Sequence, residues 1–152
     1  MKCIDQRTGE NWTAYHGDCV EIVASLPSES IGYSIYSPPF ASLYTYSNSE
    51  RDMGNCRNNG EFFENYRFLI DQILRATKPG RLSSVHCMNL PTSKARHGFI
   101  GIEDFRGRII REHEEAGWII TVRYAYGKIP WLQCNALRPL DYCTSRSSKT
   151  HA

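Results

Sequence analysis

This chain contains no apolar run of about eighteen residues, the length at which a segment becomes a candidate membrane span. Its opening, Met-Lys-Cys-Ile-Asp-Gln-Arg, also lacks the apolar stretch of a secretory leader. Both absences point to a soluble, cytoplasmic protein with no membrane partner. The six cysteines, Cys3, Cys19, Cys56, Cys87, Cys134 and Cys143, include no C-x-x-C pair, and no histidine stands at zinc-finger spacing from any of them. No metal site is expected, and the thiols read as reduced and structural. Internal repeats and low-complexity tracts are missing too, which excludes solenoid and array architectures.

A strong charge of either sign is the last absence. The formal net charge is +2. Residues 1–120 hold 13 Lys and Arg against 15 Asp and Glu, a net of −2, whereas residues 121–152 hold 5 against 1, a net of +4. The basicity lies wholly in the tail. Because a nucleic-acid face needs clustered charge, the average neither supports nor excludes one.

What is present is ordinary globular composition: 152 residues, 41% hydrophobic and 22% charged, enough for one domain with a core. Proline and glycine fall where elements should end. An apolar-aromatic run over Trp12 to His16 stops at Gly17-Asp18, and Cys19 to Leu26 places Val20, Val23 and Leu26 at helical spacing before Pro27. Ile31 to Tyr36 is rich in β-branched and aromatic residues and reads as a buried strand. From Ala41 to Gly60 the chain is polar and without period, anchored by Tyr44, Tyr46 and Met53, and loops of this length are usually functional or disordered. Phe62, Tyr66, Leu69 and Ile73 form one stripe of a helix expected to end at Pro79-Gly80. Leu82 to Met88 reads as a strand, with His86 and Cys87 in its core; Thr92 to Gly101 reads as a solvated basic loop carrying Lys94, Arg96 and His97. Glu103 to Ala116 reads as a helix capped by Gly117, and Trp118 to Ile120 opens another strand. Strand and helix alternate, which predicts an α/β domain with a mostly parallel sheet and ligands at the carboxyl ends of its strands.

Ser37-Pro38-Pro39-Phe40 stands at such an end, directly after the strand expected over Ile31 to Tyr36. Two consecutive prolines remove two backbone donors, fix two φ angles and bias their predecessors toward extended backbone. The product is a rigid corner rich in acceptors. Ser37 Oγ and the Ser37 and Pro38 carbonyls can accept hydrogen bonds from an amino group, and Phe40 offers a flat apolar face for a base. An exocyclic amine is a poor nucleophile, since its lone pair is delocalised into the ring. Accepting its N–H bonds draws the nitrogen toward tetrahedral geometry and aims the lone pair at a methyl donor.

The stretch His16-Gly17-Asp18-Cys19 through Leu26-Pro27, then Glu29-Ser30-Ile31 through Ser37-Pro38-Pro39-Phe40, resembles the opening of the DNA N4-cytosine/N6-adenine methyltransferase family. That family's motif is Asp/Asn/Ser-Pro-Pro-Tyr/Phe/Trp. Arg75-Ala76-Thr77-Lys78-Pro79-Gly80-Arg81 is similar to its R-x-L-K-P-G-G turn, and Glu112 to Trp118 to its A-G-W/F segment, with phage-encoded members most alike. The resemblance covers roughly residues 14–120. It implies a partial Rossmann-like, class I methyltransferase sheet with flanking helices, S-adenosyl-L-methionine as cofactor and DNA as partner. It further implies that Ser37, Pro38, Pro39 and Phe40 hold the target base, extruded from the duplex as in methyltransferases generally. Asp18, with Cys19 beside it, is expected in the cofactor site, touching the cofactor's adenine; Asp18 as a simple helix N-cap is an equal and compatible reading. Arg51 and Arg57, in the loop beside the motif, are the candidate DNA contacts. Serine in the first position is commoner among cytosine-N4 enzymes, but the choice between cytosine and adenine stays open.

The family's F-x-G-x-G cofactor turn is not found. Gly98 with Gly101, and Gly101 with Gly107, are weak matches that do not follow a strand in the needed way. The expectation is a chain lacking the cofactor-motif strands, inactive by itself, with room for a second chain to supply that half. After Ile120 the resemblance stops where family members continue H-S-E-V-C-I-W-K-D-P. A one-base change of frame turns one permitted set of codons for Thr121 to Pro130 into that string, so residues 121–152 are expected to be a frameshifted, non-family tail. Alternatives are a non-catalytic nucleic-acid-binding remnant, a methyltransferase for an RNA base or a glutamine side chain, and a chain that does not fold.

Overall fold

The computed structural model describes residues 3–44, 46–123 and 141–144. The chain begins with a hairpin, β1 (Asp5–Thr8) antiparallel to β2 (Thr13–His16), exposed along its whole length. Helix α1 (Cys19–Ala24) follows, started by Asp18, whose carboxylate accepts from the Val20 and Glu21 amides. Then come β3 (Ile31–Tyr36), two 3-10 turns over Ala41–Leu43 and Met53–Asn55, and α2 (Asn59–Ala76). The polar stretch expected as a plain loop thus holds two short helical turns.

Helix α2 is the hub of the core. Asn58 caps it by accepting from the Glu61 amide, and Phe62, Phe63, Tyr66, Leu69, Ile70 and Ile73 are buried on one side. It ends at Ala76, earlier than the Pro79-Gly80 stop read from sequence. There the Thr77 hydroxyl donates to the Ile73 carbonyl at 2.7 Å, and Pro79 pushes Lys78 out of helical backbone. Strand β4 (Thr77–Val85) therefore starts at once. It pairs parallel with β3, with a register shift between Ile31 and Tyr33, opposite the segment where Gly80 takes φ +72°, a conformation that favours glycine. The basic segment expected as a loop over Thr92 to Gly101 holds a single turn α3 (Lys94–His97) and is flanked by β5 (Leu90–Thr92) and β6 (Gly101–Glu103), which pair antiparallel across it. Helix α4 (Phe105–Ala116) is capped by Asp104 and closed by Gly117 at φ +108°. Two strands, β7 (Ile119–Arg123) and β8 (Asp141–Thr144), complete the described elements.

The main sheet runs β3-β4-β8-β7, with one parallel and two antiparallel pairs. Two sequence expectations need correction here. The sheet is mixed rather than mostly parallel, because β8 lies between β4 and β7 and opposes both. β3 is not a buried strand: it forms an edge of the described sheet, and Tyr33 and Ile35 are 47% and 67% exposed. Its β-branched and aromatic residues reported strand geometry correctly, but covering their outward face requires neighbours that the described residues do not provide. On its other face Ser34 and Tyr36 are half-buried, and Tyr36 packs against the core. The tail expected over 121–152 is described only at 121–123 and 141–144, so that expectation largely lies outside the described residues.

Candidate active site

The parallel pair β3 and β4, joined through α2, sends both chains out at the same edge of the sheet. The ladder continues one step past β4, with the His86 amide donating to the Tyr36 carbonyl, the last of β3, at 2.9 Å. Ser37 leaves β3 there. Its hydroxyl donates to the His86 carbonyl at 3.0 Å, and its Oγ lies 3.3 Å from His86 Nδ1. Ser37 is exposed, Pro38 is buried, and Pro39 and Phe40 are half-buried. The Phe40 ring packs on the core cluster and tilts against the His86 imidazole with centroids 6.0 Å apart. Ala41, 2% exposed, has φ +47°, an uncommon conformation for a residue with a side chain. The chain thus turns sharply right after the motif, and the burial of Ala41 holds the turn in place.

Ser37, Pro38, Pro39 and Phe40 all line one open cleft of about 520 Å³, closed on its other side by Tyr46, Ser47 and Asp52. This brings the four motif residues together with a part of the long loop. Asp52 organises that loop: one carboxylate oxygen accepts from the Ser47 amide (2.8 Å) and hydroxyl (3.0 Å), the other from the Gly54 amide (2.8 Å). Burial pushes the Asp52 carboxyl up, but these bonds, with one from the Tyr46 amide, outweigh it and hold the group below its ordinary value. Asp52 is therefore a firmly ionised wall. Gly54 is needed beside it, since a Cβ there would meet the Tyr44 carbonyl oxygen at 2.6 Å.

Asp18 lies at the start of α1, where one carboxylate oxygen caps the helix and the other pairs with Arg51 at 3.2 Å. Arg51 also pairs with Glu21. The N-cap role proposed for Asp18 from sequence is thus present, and the loop that lines the cleft through Asp52 is tied to α1 through the adjacent Arg51. Burial of its sulfur and the Asp18 charge push the Cys19 thiol up from its ordinary value, so it remains protonated at neutral pH. Arg51, a candidate DNA contact, is engaged by two carboxylates. Arg57 is exposed, its backbone amide donates to Glu61, and it does not line the cleft.

Sequence reasoning missed three site residues. His86 was placed in a strand core, but β4 ends at Val85 and the imidazole turns onto Ser37 and Phe40. Asp52 and Tyr46 face the motif across the cleft from a loop without period: Tyr46 stood out only as an anchor of that loop, and nothing in local pattern marks Asp52. Among the described residues no three His, Cys, Asp or Glu side chains converge as a metal site, and no helix is long and apolar enough to cross a membrane.

No family model matches the chain, and no curated protein does. Solved structures do. A Thermus thermophilus protein named provisionally as a DNA modification methylase, complexed with S-adenosyl-L-methionine, superimposes with a TM-score of 0.66 at 15% identity over 86% of this chain and 52% of its own. The same protein in another structure gives 0.63 at 14% identity, over 90% of this chain and 55% of its own. The PvuII DNA methyltransferase, cytosine-N4-specific, gives 0.61 at 19% identity over 94% of this chain and 53% of its own. The chain spans about half the length of the structures it matches. At these identities the likeness concerns the backbone: this chain has the α/β fold found in solved DNA methyltransferases.

Proposed function

We propose that this chain is the base-holding part of an S-adenosyl-L-methionine-dependent DNA methyltransferase that acts on the exocyclic amino group of cytosine or adenine. The observation that carries the reading is the cleft at the carboxyl end of β3, where Ser37, Pro38, Pro39 and Phe40 meet one open volume of about 520 Å³. A parallel strand end is where open α/β sheets bind ligands, and this one presents hydroxyl and carbonyl acceptors beside an aromatic ring. A base seated there would give its amino hydrogens to Ser37 Oγ and the neighbouring carbonyls and lay its ring against Phe40. The nitrogen lone pair would then be free to attack the methyl carbon while the donor's carbon–sulfur bond breaks to leave a neutral thioether, and the surplus amino proton would pass to water in the open cleft. Bound S-adenosyl-L-methionine would supply that methyl group as an electrophile, and Asp18 and Cys19 at the start of α1 are the residues proposed to meet its adenine end. Arg51 and Arg57 are the proposed phosphate contacts, Arg51 by exchanging Asp18 and Glu21 for the DNA backbone.

Gly98 and Gly101 fall at a loop and a strand start, and Gly107 lies in the first turn of α4 with its amide already taken by the Asp104 cap, so none leaves free amides at a strand-to-helix turn of the kind that cradles a cofactor. The proposal therefore assigns the methionine end of the cofactor pocket to residues beyond this sequence or to a second chain, and residues 121–152 to a shifted reading frame. Among the described residues β3 stands at the edge of the sheet, where a further strand could join. The test is twofold. The purified chain should bind DNA with an affinity that falls as salt rises and that weakens in Phe40→Ala, while transferring no labelled methyl from S-adenosyl-L-methionine. DNA binding indifferent to Phe40 contradicts base holding, and labelled product from the chain alone contradicts the missing half. Sequencing the gene through codon 152 settles the frame.

A further inference from the structure

We infer that His86 is the positioning residue of this site, fixing the Ser37 hydroxyl so that its free lone pair faces the cleft; the inference rests on the base-holding reading above. The argument is one of proton count. A serine hydroxyl has one hydrogen and two lone pairs. Its hydrogen goes to the His86 carbonyl, which can only accept, at 3.0 Å. The 3.3 Å contact between Ser37 Oγ and His86 Nδ1 then requires the imidazole to be the donor, so Nδ1 carries hydrogen. One lone pair of Oγ is thereby occupied and one remains. Ser37 lines the cleft and His86 does not, so the imidazole acts from behind, through the hydroxyl.

With hydrogen on Nε2 instead, the bare Nδ1 would either repel Oγ or draw the hydroxyl hydrogen away from the His86 carbonyl. Either change rotates the hydroxyl and moves its acceptor direction. Two further contacts hold the ring in place. The backbone amide of His86 is bonded to the Tyr36 carbonyl, the last carbonyl of β3, and its ring sits tilted against the Phe40 ring. One residue therefore sets both the hydrogen-bonding and the stacking sides of the corner.

The test uses the full chain with 2′-deoxycytidine, 2′-deoxyadenosine and thymidine as probes, and nitrogen NMR of the His86 ring. In the wild type the ring is expected as the Nδ1–H tautomer, and Ser37→Ala should shift it toward Nε2–H. His86→Leu should weaken the preferred amino nucleoside about tenfold, roughly the loss of one hydrogen bond to a fixed acceptor. His86→Asn, whose amide N–H stands close to where Nδ1–H was, should keep affinity within about threefold, and Ser37→Ala combined with His86→Leu should lose little beyond either alone. An Nε2–H ring in the wild type, equal losses in the Asn and Leu variants, or additive losses in the double variant overturn the positioning role. If the wild-type chain binds neither amino nucleoside, the base-holding reading falls and takes the inference with it. Binding undiminished by His86→Leu overturns the inference alone.

Discussion

His113 shows how a single buried group ties the Ser37 to Phe40 edge of the sheet to the core. It is 1% exposed, and its Nδ1–H must donate to the Ile109 carbonyl at 2.7 Å. Nε2 is then an acceptor and takes the Tyr36 hydroxyl at 2.8 Å, while the Tyr66 hydroxyl donates to Tyr36 at 3.1 Å. The chain of bonds ends one residue before Ser37. Burial pushes the imidazole down to about 4, against weaker upward pulls from the Ile109 bond and Glu112. The unfolded chain takes up a proton near pH 6.5, which the folded one refuses until about pH 4. Stability is therefore full above about pH 6.5 and declines as pH falls through that window, by up to about 3 kcal/mol. Urea midpoints should drop between about pH 7 and about pH 5, and His113→Leu, less stable throughout, should lose most of that slope. At this scale the sequence displayed the motif itself, because Ser37 to Phe40 are adjacent in the chain. His86 was hidden, since its bond to Ser37 spans 49 positions and only strand pairing brings it near.

Among the elements, α1 is short and depends on its cap. Asp18→Ala removes two amide bonds and should cost about 1 kcal/mol, whereas Arg51→Ala breaks exposed ion pairs only and should cost less. Denaturant melts of the two variants give the comparison. α2 behaves differently because its weight is in packing. Phe62 is fully buried, stacked on Tyr66 at 5.6 Å and in contact with Phe63 and Phe105, so Phe62→Ala should cost about 3–5 kcal/mol. The same melts should show the loss, and a cost under about 1 kcal/mol would mean that this cluster is not the core. α2 was legible because apolar residues at helical spacing leave one arrangement that buries them. The β1–β2 hairpin was not, since Asp5–Thr8 is polar and exposed and carries no alternation. α3 was likewise hidden under the basic surface residues that made Thr92 to Gly101 look like loop, and β5 and β6 on either side of it are three residues each, too short to show a period.

For the whole molecule, the governing feature is an uneven sheet. α2 and α4 cover one face of it, while Tyr33, Ile35 and Leu82 remain 47%, 67% and 40% exposed, and among the described residues β3 has no partner on its outer edge. An apolar strand edge of this kind invites association. The chain should self-associate at raised concentration, and Ile35→Lys should lower its apparent mass in sedimentation. Alternation of strand and helix made the α/β class legible, but not the mixed sheet: the position of β8 is a long-range pairing that no local period encodes. The central claim, that the Ser37 to Phe40 corner takes a base by its amino group, is tested most directly by titrating the labelled chain with the three deoxynucleosides and following Ser37, Phe40 and His86 by NMR. Deoxycytidine or deoxyadenosine should shift these residues, and thymidine, which has no exocyclic amine, should not. Equal shifts with thymidine, or shifts that bypass the corner, would contradict it.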